Sequence, residues 1–393
     1  MEVPAPASDE TNHEPPNDGA SSPAPTPRDL LPHVPIGHPD TMMSKESVRR
    51  AVECFETRPT DVVVATFPKT GTTLVTWICH LLRTDAAPFE TDLLAEEDKN
   101  QGNESETSVA STKTTKTQEP FETLYEVVPW PLLSWDIGYD PNVQGSHFTP
   151  RVFKSHLRMA SIYPGCRYVV TVRDPAKTVL SFYNFFISKK VPFLVDVDTG
   201  DENENENENK ATGSGSGPAP KLKMDVSTFL VDMPFVKGNN LRASLWEYYA
   251  EYHVLMNCPS VLILVYEDFL TDMQSQIRLL SGFVGTTTAG DREEEDLVAR
   301  VAAMSTKEYM AGHMSKFDEP YERALRLNRA GDPSQLAPGA KIAVQQHKQT
   351  FDEGALQFIG DRWSETMGPL GYKDYGAFAG AVRERNKRLF GGD

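Results

Sequence analysis

The chain has 393 residues, of which 39% are hydrophobic and 24% are charged, so it can form a sizeable core and is not wholly disordered. Its net charge of −17 disfavours duplex DNA or an anionic membrane as the main partner, but leaves a small anionic ligand open. No apolar run reaches the roughly 18 residues of a membrane span, and no signal or transit peptide is recognisable, so we expect a soluble cytoplasmic protein.

The four cysteines are widely spaced along the chain and form no Cys-x-x-Cys pair. This spacing disfavours a structural zinc site and a disulfide framework, and it favours a reducing compartment. The residues concerned are Cys54, Cys79, Cys166 and Cys258.

Three segments are too polar to bury apolar surface. We predict a disordered N-terminal tail over residues 1–40 and flexible, low-complexity insertions over residues 95–118 and 198–220, the last of which contains an Asn/Glu repeat. The folded part is then a single domain over residues 41–385, followed by a C-terminal tail of residues 386–393.

The folded part alternates between predicted strands and predicted helices. Buried, β-branched runs predict strands at residues 61–67, 151–154, 168–172 and 261–266. Apolar residues spaced along one helical face predict helices at residues 74–82, 179–186, 241–255 and 273–283, the last ending at Gly285. This order predicts an α/β fold with a mainly parallel sheet, in which ligands bind at the carboxyl ends of the strands.

The first polar cluster at a strand end is the turn over residues 67–73, Phe-Pro-Lys-Thr-Gly-Thr-Thr. Gly71 allows close approach to the backbone, the N–H groups of the helix start point at an anion, and Lys69 adds a charge. Thr72 and Thr73 add hydroxyl donors. The turn is not a Walker A sequence, because the lysine precedes the glycine. A plain strand-to-helix turn with a capping threonine is the alternative.

The second polar cluster is Lys-Ser-His-Leu at residues 154–157, just past a strand. One histidine among nine is more often structural than catalytic. Residues i and i+2 of an extended segment share a face, however, so Lys154 and His156 are expected to project toward the same site.

The third polar cluster joins Arg173 and Asp174, at a strand end, to Ser181 on the following helix. A forked guanidinium and a hydroxyl near a helix start can hold a phosphate. The alternative is a surface pair between Arg173 and Asp174, which would contribute little.

Together these clusters resemble the cytosolic sulfotransferases. Residues 67–73 are similar to that family's 5′-phosphosulfate-binding loop, and residues 154–157 to its Lys-Thr-His-Leu segment. Residues 172–186 resemble its 3′-phosphate-binding region, with the Arg-to-Ser spacing kept. Tyr-Glu-Asp at residues 266–268 and Phe-Val-Gly at residues 283–285 match two further landmarks.

The resemblance implies a P-loop-like α/β sheet and 3′-phosphoadenosine 5′-phosphosulfate (PAPS) as cosubstrate, with His156 as general base and Lys69 and Lys154 stabilising the leaving oxygen. The residues it implies for binding the cosubstrate are Lys69, Thr70, Gly71, Thr72, Thr73, Arg173, Ser181, Tyr266 and Ser305. Tyr266 is expected near the adenine. No metal ion is required.

The sequence departs from the family in several places. Leu74 replaces a tryptophan that stacks on adenine, although Trp77 follows one turn later, and Lys307 replaces an aromatic residue after Ser305. The family's Arg-Lys-Gly loop is absent, and Lys341 is our candidate substitute for binding the 3′-phosphate. The dimerisation motif is missing too, so the oligomeric state stays open.

The expected acceptor is a small, apolar molecule with a hydroxyl or an amine. Pro-Trp-Pro-Leu at residues 129–132 takes the place of the family's acceptor-site turn. The candidates for lining the pocket are Trp130, Trp135, Phe148, Phe185 and Phe186. The alternative is that they belong to the core, where aromatic residues at such spacing are found more often.

The chemistry itself also favours this interpretation. Sulfuryl transfer, like phosphoryl transfer, passes through a loose transition state in which charge builds on the leaving oxygen. Fixed lysines stabilise that charge, and a histidine removes the proton of the acceptor. Two alternatives stay open. One is a protein that binds PAPS or its product without catalysis, and the other is a P-loop nucleotide kinase, which the missing Gly-Lys-Ser/Thr disfavours.

Overall fold

A parallel β-sheet forms the centre of the fold. A computed structural model of the protein describes residues 24–36, 43–89, 120–143, 145–188, 222–233, 243–285, 290–318 and 349–391. Four strands in these ranges pair in the order β2-β1-β3-β4, all parallel. They are β1 (Val62–Ala65), β2 (Val152–Ser155), β3 (Arg167–Val172) and β4 (Val261–Val265).

The sheet is buried on both faces, which explains its unbroken apolar runs. Side chains alternate between two cores, so that Val62 and Val64 of β1 pack into one core while Val63 and Ala65 pack into the other. The four strands fall within or beside the predicted runs. The mainly parallel α/β fold is therefore confirmed.

Helices cover both faces of the sheet. Those in the described ranges are α1 (Pro27–Leu30), α2 (Lys45–Glu53), α3 (Thr72–Arg83), α4 (Leu124–Val127), α5 (Pro131–Ser134), α6 (Pro175–Ser188), α7 (Val226–Asp232), α8 (Leu245–Val254), α9 (Tyr266–Thr271), α10 (Met273–Val284), α11 (Asp291–Met304), α12 (Lys307–Gly312), α13 (Glu353–Thr366) and α14 (Tyr375–Phe390). Helices α3, α10 and α11 contribute to one core, and α6, α8, α13 and α14 to the other.

Local sequence sets several helix ends. Helix α10 ends before Gly285, whose φ of 78° is left-handed, as the sequence predicts. Helix α8 begins with a capping box, in which the Ser244 hydroxyl accepts from the N–H of Glu247 and the Glu247 carboxylate accepts from the N–H of Ser244. Among the described residues of the range 241–255 predicted to be helical, the helix spans Leu245–Val254.

The N-terminal segment differs from the sequence prediction where the structure describes it. Residues 24–36 were expected to belong to a disordered tail, yet Pro27 and Leu31 are buried and the N–H of Val34 donates to the carbonyl of Ala160 at 2.9 Å. A few apolar residues suffice to anchor the segment, because the 3₁₀ turn Met159–Ser161 offers it a packing surface.

The C-terminal end also differs from the prediction. Helix α14 continues to Phe390, past the expected domain end at residue 385. The side chain of Asn386 is buried, and its Nδ2 donates to the carbonyl of Ile263 in β4 at 2.7 Å. Residues 386–390 therefore belong to the domain and not to a tail. The two predicted insertions, over residues 95–118 and 198–220, lie outside the described residues.

Candidate active site

The carboxyl ends of β1, β2 and β3 meet around the turn that links β1 to α3. Lys69 adopts a left-handed φ of 71° and Gly71 one of 115°, while Thr70 between them does not. Alternating backbone conformations of this kind turn successive N–H groups into a concave, anion-attracting surface. The first N–H groups of α3 lie beside it and have no intrahelical partners. A left-handed lysine is uncommon and is typical of functional sites.

The threonine hydroxyls of the turn mostly brace it from inside. Thr70 Oγ1 donates to the carbonyl of Phe67 and lies 2.7 Å from Thr171 Oγ1. Thr72 Oγ1 lies 2.5 Å from Thr66 Oγ1. Both Thr70 and Thr72 are buried, so the turn presents mainly its backbone outward.

Tyr266, the first residue of α9, lies against the turn. A β-carbon built on Gly71 would come within 2.6 Å of Tyr266 Cδ2, so only glycine allows this close approach. The guanidinium of Arg173 lies 4.4 Å from the centroid of the same ring. One aromatic side chain thus connects the first and the third polar clusters.

Arg173 is also bound directly to the turn. Its Nη1 donates to the carbonyl of Lys69 at 2.7 Å. Its Nε is buried and has no hydrogen-bond partner within the described residues. One edge of the guanidinium is therefore committed to the turn, and the edge that carries Nε suits a bidentate anion.

His156 is bound to the same turn from the other side. Its Nδ1 lies 2.8 Å from the carbonyl of Thr66. A carbonyl only accepts, so Nδ1 carries the proton and the neutral ring has its lone pair on Nε2. The imidazole also makes an edge contact with Trp130, with ring centroids 5.1 Å apart.

Lys154 and His156 project to the same place, as the sequence predicts. The Nζ of Lys154 lies 4.1 Å from the centroid of the Trp130 ring, which His156 also touches. The same ammonium donates to the hydroxyl of Tyr125 at 2.5 Å. Lys154 is buried, and Tyr125, from α4, is a contact that sequence reasoning did not find.

Lys69 extends from the turn toward α6. Its Nζ lies 4.3 Å from the centroid of the Phe185 ring. The ammonium of Lys69, the imidazole of His156 and the guanidinium of Arg173 therefore belong to groups that are held on one strand-to-helix turn.

The remaining predicted residues have different outcomes. Ser181 is half-buried on α6, and Ser305 is buried at the end of α11 with an Oγ that has no partner among the described residues. Trp77 is fully buried, and its Nε1 donates to the carbonyl of Met304 at 2.9 Å, so it is a core residue and does not replace the aromatic residue missing at Leu74. Lys341 lies outside the described residues.

The alternative interpretation of Arg173, a surface pair with Asp174, is wrong for the described structure. Asp174 Oδ1 accepts from the N–H of Lys177 and so caps α6, while Arg173 contacts Tyr266 and Lys69. The N–H of Asp174 in turn donates to Glu267 at 3.1 Å.

Two of the aromatic candidates for the acceptor pocket lie near these groups, namely Trp130 and Phe185. Phe148 instead packs on the guanidinium of Arg83 at 4.2 Å. A cavity of about 10 Å³, enough for about one water molecule, adjoins the site and is lined by Thr73, Thr76, Leu124, Tyr125, Val128, Lys154 and Phe317.

Two properties of the described ranges as a whole also bear on function. These ranges contain no helix that is both long enough and apolar enough to cross a membrane. Nor do they bring together three His, Cys, Asp or Glu side chains in a way that could hold a metal ion.

The comparisons with known proteins agree with this geometry at the level of the family. The family model of the sulfotransferase domain matches residues 59–368, which is well over half of the chain. The chain therefore belongs to the sulfotransferase domain family, whose general chemistry is sulfuryl transfer. No curated protein matches the chain.

Two solved structures show similar backbones. A retinol dehydratase in complex with androsterone and the inactive cofactor PAP is 17% identical, with a TM-score of 0.46 over 83% of this chain and 87% of that one. A mouse sulfotransferase complexed with PAP is 14% identical, with a TM-score of 0.49 over 90% of this chain and 99% of that one.

Proposed function

We propose that the protein transfers the sulfuryl group of PAPS to a hydroxyl or an amine of a small, apolar acceptor. The observation that carries the proposal is that His156 and Arg173 both bind the backbone of the turn that contains Lys69. His156 Nδ1 binds the carbonyl of Thr66 and Arg173 Nη1 binds the carbonyl of Lys69. Segments about a hundred residues apart in sequence thus place an imidazole, a guanidinium and an ammonium at one turn, whose backbone N–H groups suit an anion.

The residues present fit an adenosine cosubstrate that carries anionic groups at both its 3′ and its 5′ position. The N–H groups of the turn and Lys69 suit the 5′-phosphosulfate, and the Nε edge of Arg173, with Ser181, suits the 3′-phosphate. Arg173 Nε and Ser305 Oγ are buried polar atoms that find no partner among the described residues. Such atoms are costly unless a ligand satisfies them. Tyr266 and Ser305 are assigned to the adenosine side.

The chain's own groups account for the proton and the charge in the transfer. PAPS supplies the sulfuryl group when it is bound. The Nε2 lone pair of His156 takes the proton of the acceptor, and the Thr66 carbonyl keeps the ring in the required tautomer. Lys69 and Lys154 stabilise the charge that develops on the leaving oxygen. This step uses no metal ion.

Trp130 and Phe185 support an apolar acceptor, because both adjoin the cationic groups of the site. Lys341 is retained as a candidate contact of the 3′-phosphate. The cytoplasmic location stays a prediction from the sequence.

The test compares transfer with binding in one variant. We expect His156→Ala to lower sulfuryl transfer from labelled PAPS by about 10²–10⁴-fold, while calorimetric affinity for adenosine 3′,5′-bisphosphate stays within a few-fold. His253→Ala is the matched control, because His253 pairs with Tyr372 at 2.9 Å and does not contact the turn. Full turnover in His156→Ala would remove this residue from its role.

The wild-type protein separates the alternatives. Tight binding of adenosine 3′,5′-bisphosphate without transfer to any phenol, sterol or amine of an acceptor panel would indicate a binding protein without catalysis. Magnesium-dependent turnover of ATP, without binding of the bisphosphate, would indicate a kinase.

A further inference from the structure

We infer that Tyr249 and Glu267 are positioning residues that hold Arg173 and so set the protein's preference for a nucleotide with a 3′-phosphate. The inference rests on the proposed function, because it assumes that Arg173 binds this phosphate. Neither residue touches the guanidinium in the described contacts. Both hold the backbone of the segment that carries it.

The hydroxyl of Tyr249 binds both backbone groups of Arg173. It donates to the Arg173 carbonyl at 2.5 Å and accepts from the Arg173 N–H at 2.9 Å. In extended chain the N–H and the C=O of one residue point to the same side, which is how strands pair. The pairing of β3 with β4 ends at Val172, opposite Val265. Tyr249 therefore extends strand-like pairing by one residue, to the residue that bears the guanidinium.

Tyr249 is itself held rigidly. Its side chain is fully buried, and its ring packs at 5.8 Å from the ring of Phe378 in α14 and 6.4 Å from that of Trp363 in α13. Burial raises the pKa of Tyr249, so its hydroxyl keeps the hydrogen that it donates. The position of Arg173 thus depends on two C-terminal helices.

Glu267 fixes the next peptide group. Its Oε1 accepts from the N–H of Asp174 at 3.1 Å, and its Oε2 accepts from the hydroxyl of Tyr375 at 2.5 Å. Two consecutive N–H groups, those of Arg173 and Asp174, are therefore held by side chains of distant elements. The Arg173 guanidinium is restrained at its other end by the Lys69 carbonyl and the Tyr266 ring.

This arrangement predicts which nucleotides a variant at Tyr249 or Glu267 would bind more weakly. A group that acts only through Arg173 affects a ligand that uses the guanidinium and leaves other ligands unaffected. Adenosine 3′,5′-bisphosphate and adenosine 5′-monophosphate differ only in the 3′-phosphate. The ratio of their affinities therefore separates positioning of Arg173 from a general loss of structure.

The experiment is a calorimetric titration of both nucleotides into wild type, Tyr249→Phe and Tyr168→Phe. Tyr168 is the matched control, because it lies on β3, the strand that leads to Arg173, is buried, and donates its hydroxyl to a backbone carbonyl, that of Tyr163, at the opposite end of β3. We expect Tyr249→Phe to weaken the bisphosphate by about five- to tenfold and to leave the monophosphate within about twofold. Tyr168→Phe is expected to keep the wild-type ratio.

The outcomes distinguish the inference from the proposed function. A wild type that does not prefer the bisphosphate overturns the assignment of Arg173, and the proposed function with it. A wild type that prefers it, together with a Tyr249→Phe variant of unchanged ratio, overturns the inference alone. If Tyr249→Phe does not fold, Glu267→Ala tests the second anchor, with the same loss of preference expected and an unchanged ratio contradicting it.

Discussion

Replacing Gly71 with alanine is expected to damage both the stability of the fold and the binding of the nucleotide. The left-handed φ of 115° costs a residue with a β-carbon about 1–2 kcal/mol. The new β-carbon would also lie 2.6 Å from Tyr266 Cδ2, where ordinary contact begins at 3.4 Å. Forcing such an overlap in a packed region costs about a further 1–3 kcal/mol. We therefore expect a total loss of about 2–5 kcal/mol in the free energy of unfolding.

The prediction also has a functional readout, because the added β-carbon would force the ring of Tyr266 to move away from the turn. Arg173 lies on the same ring, so displacing the ring moves the guanidinium as well. We expect Gly71→Ala to bind adenosine 3′,5′-bisphosphate at least about tenfold more weakly.

The assay pairs urea unfolding with a calorimetric titration, and the chain offers a matched control. Gly138 has a left-handed φ of 80°, but a β-carbon added there would meet no heavy atom within 4 Å, so Gly138→Ala carries the backbone cost without the overlap. We expect it to lose about 1–2 kcal/mol and to keep its affinity for the nucleotide. Equal stability losses in the two variants, with unchanged affinity in Gly71→Ala, would refute the reasoning.

Two further predictions concern parts of the chain away from the site. At pH 8 the native protein should react with a thiol reagent at Cys54 alone, because the other three cysteines are buried and burial raises the pKa of Cys79 and Cys166 to about 12. Unfolding should make all four thiols reactive. Rapid labelling of a second thiol in the native protein would contradict the burial. Asn386→Ala should lower the free energy of unfolding in urea by about 1–3 kcal/mol, since it removes the hydrogen bond from Asn386 Nδ2 to the carbonyl of Ile263. An unchanged midpoint would show that this contact does not stabilise the domain.

The structural placements that the sequence predicts correctly are those that short-range patterns determine. The buried valine runs identify the strands, and a turn that follows such a strand must lie at the sheet edge. The spacing of Lys154 and His156 determines that they share a face, and both meet Trp130. The replacement of the family's tryptophan by Leu74 can also be read directly from the sequence, but the orientation of the Trp77 side chain cannot. It depends on the carbonyl of Met304, more than two hundred residues away.

The residues that sequence reasoning missed act over long distances. Tyr249 and Glu267 hold Arg173 and Asp174 from 76 and 93 residues away, and no periodicity or motif around Tyr249 marks this contact. Tyr125 binds Lys154 from a four-residue helix that no apolar spacing predicts. The end of α14 differs from its prediction for a related reason. The charged and polar residues near position 386 look solvated, whereas Asn386 and Arg385 pair with backbone carbonyls beside β4.

The packing of Tyr249 against Phe378 and Trp363 has a consequence for the way the protein is made. During synthesis, the anion-cradling turn leaves the ribosome about three hundred residues before the helices that lock Arg173 in place. A nascent or prematurely terminated chain thus carries the loop without its fixed guanidinium. Under the proposed function, we therefore expect a chain that lacks these two helices to bind the nucleotide less tightly than the full chain does.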